Sequence, residues 1–362
     1  MSLPITEFAI YGLHGDKDIV IPIEHQCKIL ISENGMGKTT VLKALYATLT
    51  CQFFRLNNLE FKNIIINFPS EEIILQKDNK NIDNITRRIN KNFTCEVLYL
   101  PTYRRLEADL YQMGYIPKET GLTDNLLQSG MTDVEEKIKQ IASGLENTFL
   151  GWFGRLNPQV WEQLIKEADI DEVKIENLEA LKAVINRIYA YLIEHGKEKI
   201  LQQFDPQQIG ESDYNILDDF FSDIIQAYEE EAEKDAKVNQ FIQTCNRYFF
   251  DKQLIYNKNN WNIEVQTHKN RPLAFESLSL GEKQLISIFS KLYLTSEKPL
   301  IILIDEPELS ISIEWQRMLL PDILKSPRCH FLLAATHSPF IFDNDLNIYT
   351  VALNEYIREH EK

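Results

Sequence analysis

The sequence predicts an α/β fold in which a strand–loop–helix unit binds phosphate and a helical segment interrupts the chain. Three observations lead to this prediction. An apolar strand, Cys27–Ile31, runs into a glycine-rich turn, and a helical apolar pattern follows at residues 40–50. A second apolar run, residues 300–304, ends at two carboxylates, as a buried parallel strand does at a phosphate site. Between the two, from residue 104 to residue 252, apolar residues recur at the three- and four-residue steps of helices.

Short apolar runs separated by turns predict the remaining strands. In the N-terminal third they lie at 8–11, 19–23, 28–32, 64–68, 72–76 and 93–100, and we expect an antiparallel β subdomain there. The strand pattern returns at 253–256, 263–267, 300–304 and 330–335. The predicted organisation is therefore an N-terminal half (1–103), an acidic helical insertion (104–252) and a C-terminal half (253–362).

Composition and charge are those of a globular protein of 362 residues, with 44% hydrophobic residues and a net charge of −16. Residues 151–240 hold twenty acidic and nine basic side chains, a balance that gives no support to nucleic-acid binding but does not exclude a local basic patch. The five cysteines are scattered without Cys-x-x-Cys spacing, so neither zinc nor disulfides are indicated. We find no membrane span and no signal peptide, and we expect a cytoplasmic protein.

The turn at residues 32–39, Ser-Glu-Asn-Gly-Met-Gly-Lys-Thr, has the pattern of a P-loop. Gly35 and Gly37 let successive backbone N–H groups converge on phosphates, Lys38 adds a positive charge, and the Thr39 hydroxyl suits a Mg²⁺ ion. Ser32 stands where the pattern usually has glycine. The predicted nucleotide contacts of this loop are Asn34, Gly35, Met36, Gly37, Lys38, Thr39 and Thr40.

The carboxylates after the apolar run 300–304 are Asp305 and Glu306. Asp305 is predicted to hold Mg²⁺ together with Thr39, and Glu306 is predicted to activate the attacking water as general base.

Two further segments complete the set of motifs. Ser279-Leu-Gly281-Glu282 opens a helical pattern, and it is open to two interpretations: a capping box on an ordinary helix, or a phosphate-binding turn. His337 follows an apolar strand at 330–335. A single histidine is more often structural, so its interpretation depends on the other motifs.

In their order and spacing, the four motifs resemble ABC ATPases of the non-transporter kind, related to SMC, RecF and overlapping-lysogenization-defect proteins. The resemblance implies an ABC-type P-loop head that uses ATP and Mg²⁺, with Lys38, Glu306 and His337 as catalytic residues. It also implies that Ser279, Gly281 and Glu282 serve the nucleotide of a second copy, so that heads assemble as dimers or larger oligomers. Residues 309–312 would form the D-loop between the copies.

The run at 100–105 (Leu-Pro-Thr-Tyr-Arg-Arg) and the segment 259–275 resemble the stand-alone ATPase subunits of bacterial anti-phage systems such as PARIS and Septu. Arg104 and Arg105 are equally compatible with nucleotide or interface contacts and with plain surface positions. Because 25 residues follow His337, too few for a fused nuclease domain, we expect the effector, a nuclease, in another chain. The alternative is a SMC/RecF-like DNA-repair ATPase that clamps DNA directly. A transporter ATPase fits least, since Leu-Gly-Glu-Lys follows Ser279 and the insertion is long.

Overall fold

The computed structural model describes residues 3–33, 35–77, 82–101, 236–257, 262–295 and 298–359, which divide into two compact units. The first unit holds the described residues up to 101, residues 279–288, residue 295 and residues 298–359. The second holds 236–257, 262–278 and 289–294. Most of the predicted helical insertion, with Arg104 and Arg105, lies outside the described residues, and the domain boundaries at 103 and 252 remain a prediction.

The elements follow one another along the chain in an α/β order. They are β1 (Glu7–Leu13), β2 (Lys17–Pro22), β3 (Cys27–Ile31), α1 (Lys38–Leu49), β4 (Asn63–Asn67), β5 (Glu72–Gln76), α2 (Ile82–Asn92), β6 (Glu96–Leu100), α3 (236–246), β7 (Lys252–Asn257), β8 (Asn262–Thr267), β9 (Pro272–Leu273), α4 (Leu280–Tyr293), β10 (Leu300–Asp305), α5 (Ile313–Leu324), β11 (Cys329–Thr336), β12 (Thr350–Ala352) and β13 (Ile357–Glu359). Short 3-10 helices lie at Phe53–Leu56, Phe275–Ser277, Pro339–Ile341, Asp345–Tyr349 and Leu353–Tyr356.

A five-stranded parallel sheet in the first unit has the order β12-β3-β11-β10-β6. All six residues of β10 are buried, which explains its unbroken apolar sequence. Ile31 at the end of β3 pairs with Thr336 at the end of β11, and Ala335 pairs with Asp305 at the end of β10. The loops that follow these three strands therefore emerge side by side at one edge of the sheet.

An antiparallel sheet of order β13-β2-β1-β4-β5 forms the other layer of the first unit and confirms the predicted N-terminal β subdomain. Its alternating apolar residues share one hydrophobic core with helix α1 and the parallel sheet. Helix α2, which the sequence did not predict, buries only Ile85 and Ile89 and is tied to the end of β5 by the Arg88–Glu71 ion pair.

The second unit combines helix α3 with the three-stranded antiparallel sheet β7-β8-β9. The Asn246 side chain substitutes for a neighbouring strand: its amide nitrogen donates to Leu254 O (2.9 Å) and its oxygen accepts from Leu254 N (2.7 Å). Tyr248 packs against Phe289 with ring centroids 5.5 Å apart. Within the described parts of the chain, every helix is too short or too polar to span a lipid bilayer.

Candidate nucleotide site

The loop between β3 and α1 has the backbone conformation of a phosphate cradle. Gly35 and Gly37 adopt φ values of 84° and 99°, which strain any residue with a side chain. A Cβ atom added at either glycine would meet nothing within 4 Å, so conformation rather than space requires glycine here. Gly37 caps α1 without a side-chain acceptor, and the first turn carries no acidic residue. The positive end of the α1 helix dipole is therefore not compensated by an acidic side chain of its own first turn and suits an external anion.

Lys38 is buried, with 6% of its surface exposed, and its ammonium group lies inside the loop. It donates to the Ser32 carbonyl oxygen (2.6 Å) and to the Ser32 hydroxyl (3.1 Å). The serine that departs from the P-loop pattern therefore serves as an extra acceptor for the lysine. Burial lowers the pKa of Lys38, while the carboxylates of Glu306 and Asp305 oppose that shift.

The ring of His337 reaches the same ammonium group. Lys38 Nζ lies 2.9 Å from His337 Nε2, although 299 residues separate the two along the chain. Lys38 Nζ also lies 3.5 Å from His337 Nδ1, so the ammonium group faces the edge of the ring that carries both nitrogens. The structure thus brings together Lys38 and His337, two of the three residues that the resemblance implies to be catalytic.

Thr39 and Asp305, the two predicted metal ligands, are in direct contact. The Thr39 hydroxyl donates to Asp305 Oδ2 at 2.8 Å, and Asp305 is 3% exposed. A hydroxyl and a carboxylate oxygen side by side are the hard donors that Mg²⁺ prefers. Among the described residues, no group of three or more histidine, cysteine or acidic side chains is placed to hold a metal.

Glu306 lies one residue beyond β10 in the left-handed region, with φ 49°. Its N–H donates to Ala335 O (2.8 Å) and its carbonyl accepts from Leu309 N (3.2 Å). These bonds hold a conformation that costs a residue with a side chain about 1–3 kcal/mol. The chain thus turns sharply at the candidate base, next to the buried Asp305.

Glu308 is a part of the site that the sequence prediction missed. Its carboxylate accepts a bond from the Thr336 hydroxyl to Oε2 (2.7 Å) and a bond from the His337 N–H to Oε1 (2.9 Å). Its position in the run Asp305-Glu306-Pro-Glu308 was the only signal available, since its partners lie 28 and 29 residues away.

The predicted phosphate-binding turn at 279–282 forms a second group of residues. Ser279 N donates to Glu282 Oε2 (2.6 Å), and Glu282 N donates to Ser279 Oγ (3.3 Å), which is a capping box at the start of α4. Glu282 is buried by this arrangement, whereas Ser279 is exposed. A Cβ on Gly281 would lie 2.3 Å from the backbone oxygen of Ser310, so the turn packs tightly on the predicted D-loop.

The residues predicted for the site thus fall into two groups. Lys38, His337, Thr39 and Asp305 are linked by direct contacts, and Ser279, Gly281 and Glu282 lie against Ser310. Met36 and Thr40 are partly buried beside the first group, and Asn34 lies outside the described residues. A nucleotide role for each residue remains a prediction.

Residues 33–343 match the family AAA_21, described as "AAA domain, putative AbiEii toxin, Type IV TA system". A structure of the Smc head domain with an extended coiled coil, bound to the C-terminal domain of ScpA and derived from Pyrococcus furiosus, is similar at 16% identity and a TM-score of 0.47 over 99% of this chain and 96% of that one. A SmcHead bound to the C-winged helix domain of ScpA is similar at 13% identity and a TM-score of 0.45, over 93% and 90%. No curated protein gives a significant match. Because the family model spans most of the chain, this protein belongs to the AAA_21 family and contains an AAA domain.

Proposed function

We propose that this chain binds ATP with Mg²⁺ at the P-loop and hydrolyses it in a site completed by a second copy. The observation that carries the proposal is the pair of contacts Lys38–His337 and Thr39–Asp305. They join the loop after β3 to the ends of β10 and β11. These three strands are neighbours in the parallel sheet. Phosphate-binding, metal-binding and candidate catalytic groups therefore converge at one edge of the sheet, where α/β proteins bind nucleotides.

Each side chain has a defined task in this proposal. Lys38 and the backbone N–H groups of the loop bind the β and γ phosphates, and His337 contacts the γ-phosphate. Glu306 accepts a proton from the attacking water. The oxygen of that water forms a bond to the γ-phosphorus while the bond to the leaving ADP breaks. Mg²⁺ held by Thr39 and Asp305 would neutralise charge on the phosphate oxygens.

The exposed surface of the 279–282 turn supports the involvement of a second copy. Ser279 is exposed although its hydroxyl caps α4, and the tight contact of Gly281 with Ser310 fixes its position. Leu280 and Ile313, which are 37% and 43% exposed, follow Ser279 and the D-loop in sequence. Exposed apolar side chains at the start of α4 and of α5 suit a surface that is covered by another protomer.

The chain is further proposed to control a separate effector, a nuclease, in anti-phage defence. Residues 151–240 carry a net charge of −11, which suits the docking of a protein partner and disfavours DNA. The family description names a toxin of a type IV toxin–antitoxin system, which is compatible with an ATPase tied to a damaging activity. ATP would hold the heads together, and hydrolysis would release them.

Mixing two inactive variants tests the composite site. We expect Lys38→Ala to lose ATP binding and Ser279→Arg to bind ATP but not hydrolyse it. A mixture of the two should recover part of the wild-type phosphate release, because one intact site forms from two different chains. The absence of recovery at every mixing ratio would rule out a shared site.

A matched control is Ser279→Ala, which removes the helix cap at a cost of about 1 kcal/mol but adds no bulk. If it blocks hydrolysis as fully as Ser279→Arg while remaining folded, the hydroxyl itself is required.

The effector is tested by purifying Glu306→Gln with ATP: a co-purifying nuclease supports the defence role, and DNA alone favours the DNA clamp. Strong salt dependence of that DNA binding would strengthen the second outcome.

A further inference from the structure

The segment around His337 is held by the loop that follows β10, residues 306–312, here called the carboxylate loop, and by helix α5 next to it. On one side, Glu308 accepts hydrogen bonds from the His337 N–H (2.9 Å) and from the hydroxyl of the preceding Thr336 (2.7 Å). Thr336 is fully buried, and its Oγ1 also accepts from Ser338 N (3.0 Å). Because the Thr336 hydroxyl has only one proton to donate, it requires an acceptor at the position of the Glu308 carboxylate.

On the other side, Gln316 of helix α5 connects the carboxylate loop to Ser338. Its Oε1 accepts from the Ser338 hydroxyl at 2.6 Å. Its Nε2 donates to two carbonyl oxygens of the carboxylate loop, those of Ile311 (3.2 Å) and Glu308 (3.4 Å). Gln316 is 9% exposed. Only an amide can accept from a hydroxyl and donate to carbonyls in this way, so the geometry requires glutamine rather than glutamate.

The carboxylate loop is also the segment against which the 279–282 turn packs. The Ser310 carbonyl lies so close to Gly281 that a methyl group does not fit between them. The carboxylate loop thus contacts the 279–282 turn at Ser310 and bonds Thr336 and His337 through Glu308, while Gln316 connects it to Ser338. The His337 ring in turn contacts Lys38.

We infer that Glu308 and Gln316 are positioning residues, which hold the His337 ring at Lys38 and link that position to the surface on which a second copy docks. The inference rests on the proposed hydrolysis of ATP for its kinetic consequence. Glu308 holds the His337 N–H and the Thr336 hydroxyl, and Gln316 holds the Ser338 hydroxyl. A displacement of the carboxylate loop at Ser310 therefore moves His337 with it.

Isosteric substitutions test the kinetic part in the full chain. In Glu308→Gln the new amide group faces two donors, and in Gln316→Glu a carboxylate faces two carbonyl oxygens; the side-chain shape is kept in both. We expect kcat to fall by about 10- to 100-fold, as displaced catalytic groups do, with the KM for ATP unchanged. Arg317→Met, the next residue of α5 with an exposed ion pair to Asp343, should match the wild type.

A double-mutant cycle separates positioning from general structural damage. If Glu308 and Gln316 act through His337, their substitution in a His337→Ala background should cause no further loss of kcat. The same fold-loss in both backgrounds, or a rise in KM that accounts for the whole effect, would overturn the inference.

The imidazole of His337 gives a readout that does not depend on turnover. In protein labelled with nitrogen-15 histidine, the His337 signals are identified by their loss in His337→Gln. Glu308→Gln and Gln316→Glu should each shift these signals, and Arg317→Met should leave them in place. Unchanged signals in both variants overturn the inference whatever the activity. If the wild-type chain hydrolyses no ATP while the two variants still shift the His337 signals, only the proposed function is refuted.

Discussion

The contact between Gly281 and Ser310 makes Gly281→Ala a test of how the 279–282 turn is joined to the carboxylate loop. The added Cβ would lie 2.3 Å from the Ser310 oxygen, about 1 Å closer than an ordinary contact, and 3.3 Å from the Trp315 ring. The nearest atom belongs to the backbone, so no flexible side chain can turn away. The turn or the carboxylate loop must therefore move by about 1 Å.

Two opposing effects decide the magnitude. Overpacking of this kind costs about 1–3 kcal/mol, whereas alanine gains up to about 1 kcal/mol over glycine in a helix interior and less in the first turn. We expect the steric term to win and the free energy of unfolding to fall by about 1–2 kcal/mol. Because a shift of about 1 Å can cost up to about 100-fold in rate, turnover should fall at least tenfold.

Urea denaturation and phosphate release measure the two effects, and Lys283→Ala, two residues along α4, is the control that adds no atoms. Nucleotide affinity should stay at the wild-type value, since the P-loop is untouched. A Gly281→Ala variant with wild-type turnover and equal or higher stability would refute the reasoning, because it would show that the contact is slack.

Three further predictions concern the first group of site residues and the buried thiols. Glu306→Gln should bind ATP, hydrolyse it slowly and accumulate as dimers or larger assemblies in light scattering; wild-type turnover would remove it as the base. Thr39→Ala should raise the Mg²⁺ concentration needed for half-maximal turnover by roughly tenfold, given the loss of one ligand beside Asp305, and an unchanged Mg²⁺ titration would contradict the metal site. Burial raises the pKa of Cys27 and of Cys329 to about 12, so both thiols should resist Ellman's reagent at pH 8 in the native protein. The stability that the two buried thiols contribute is complete below the unfolded pKa of about 9 and is lost as the pH rises toward about 12. Urea midpoints measured between pH 8 and pH 11 would detect this loss, and midpoints that do not change with pH would contradict the burial of the thiols.

The sequence predicted the parts of the fold in which one strand carries its own signal. The strands β3 and β10 are continuous apolar runs that end at the P-loop and at Asp305, and both lie where the pattern placed them. Helix α2 was missed because only Ile85 and Ile89 face the core, too few for a recognisable periodicity. Strands β12 and β13 have three residues each and exist through pairing with β3 and β2, far away in sequence.

Glu308 and Gln316 show why part of the site could not be predicted. Each is one polar residue in a segment of ordinary composition, and the residues around His337 to which it bonds lie 22 to 29 residues further along the chain. Ser279 and Glu282 illustrate a different limit. Their spacing fits a helix cap and a phosphate-binding turn equally well, and the structure shows that the cap is formed while the Ser279 side is exposed.

The strand order of the parallel sheet has a consequence for how the protein is made. Strand β3 carries the P-loop, yet both of its neighbours, β11 and β12, are synthesised after the other two strands of the parallel sheet, β6 and β10. The 299 residues between Lys38 and His337 take about 15–60 s to translate at typical ribosome speeds. During that interval β3 lacks both of its native partners. A nascent chain that ends before Cys329 contains the P-loop residues without the neighbouring strands that flank β3 in the folded sheet. We therefore expect the proposed phosphate cradle to take its final shape only after β11 has been translated.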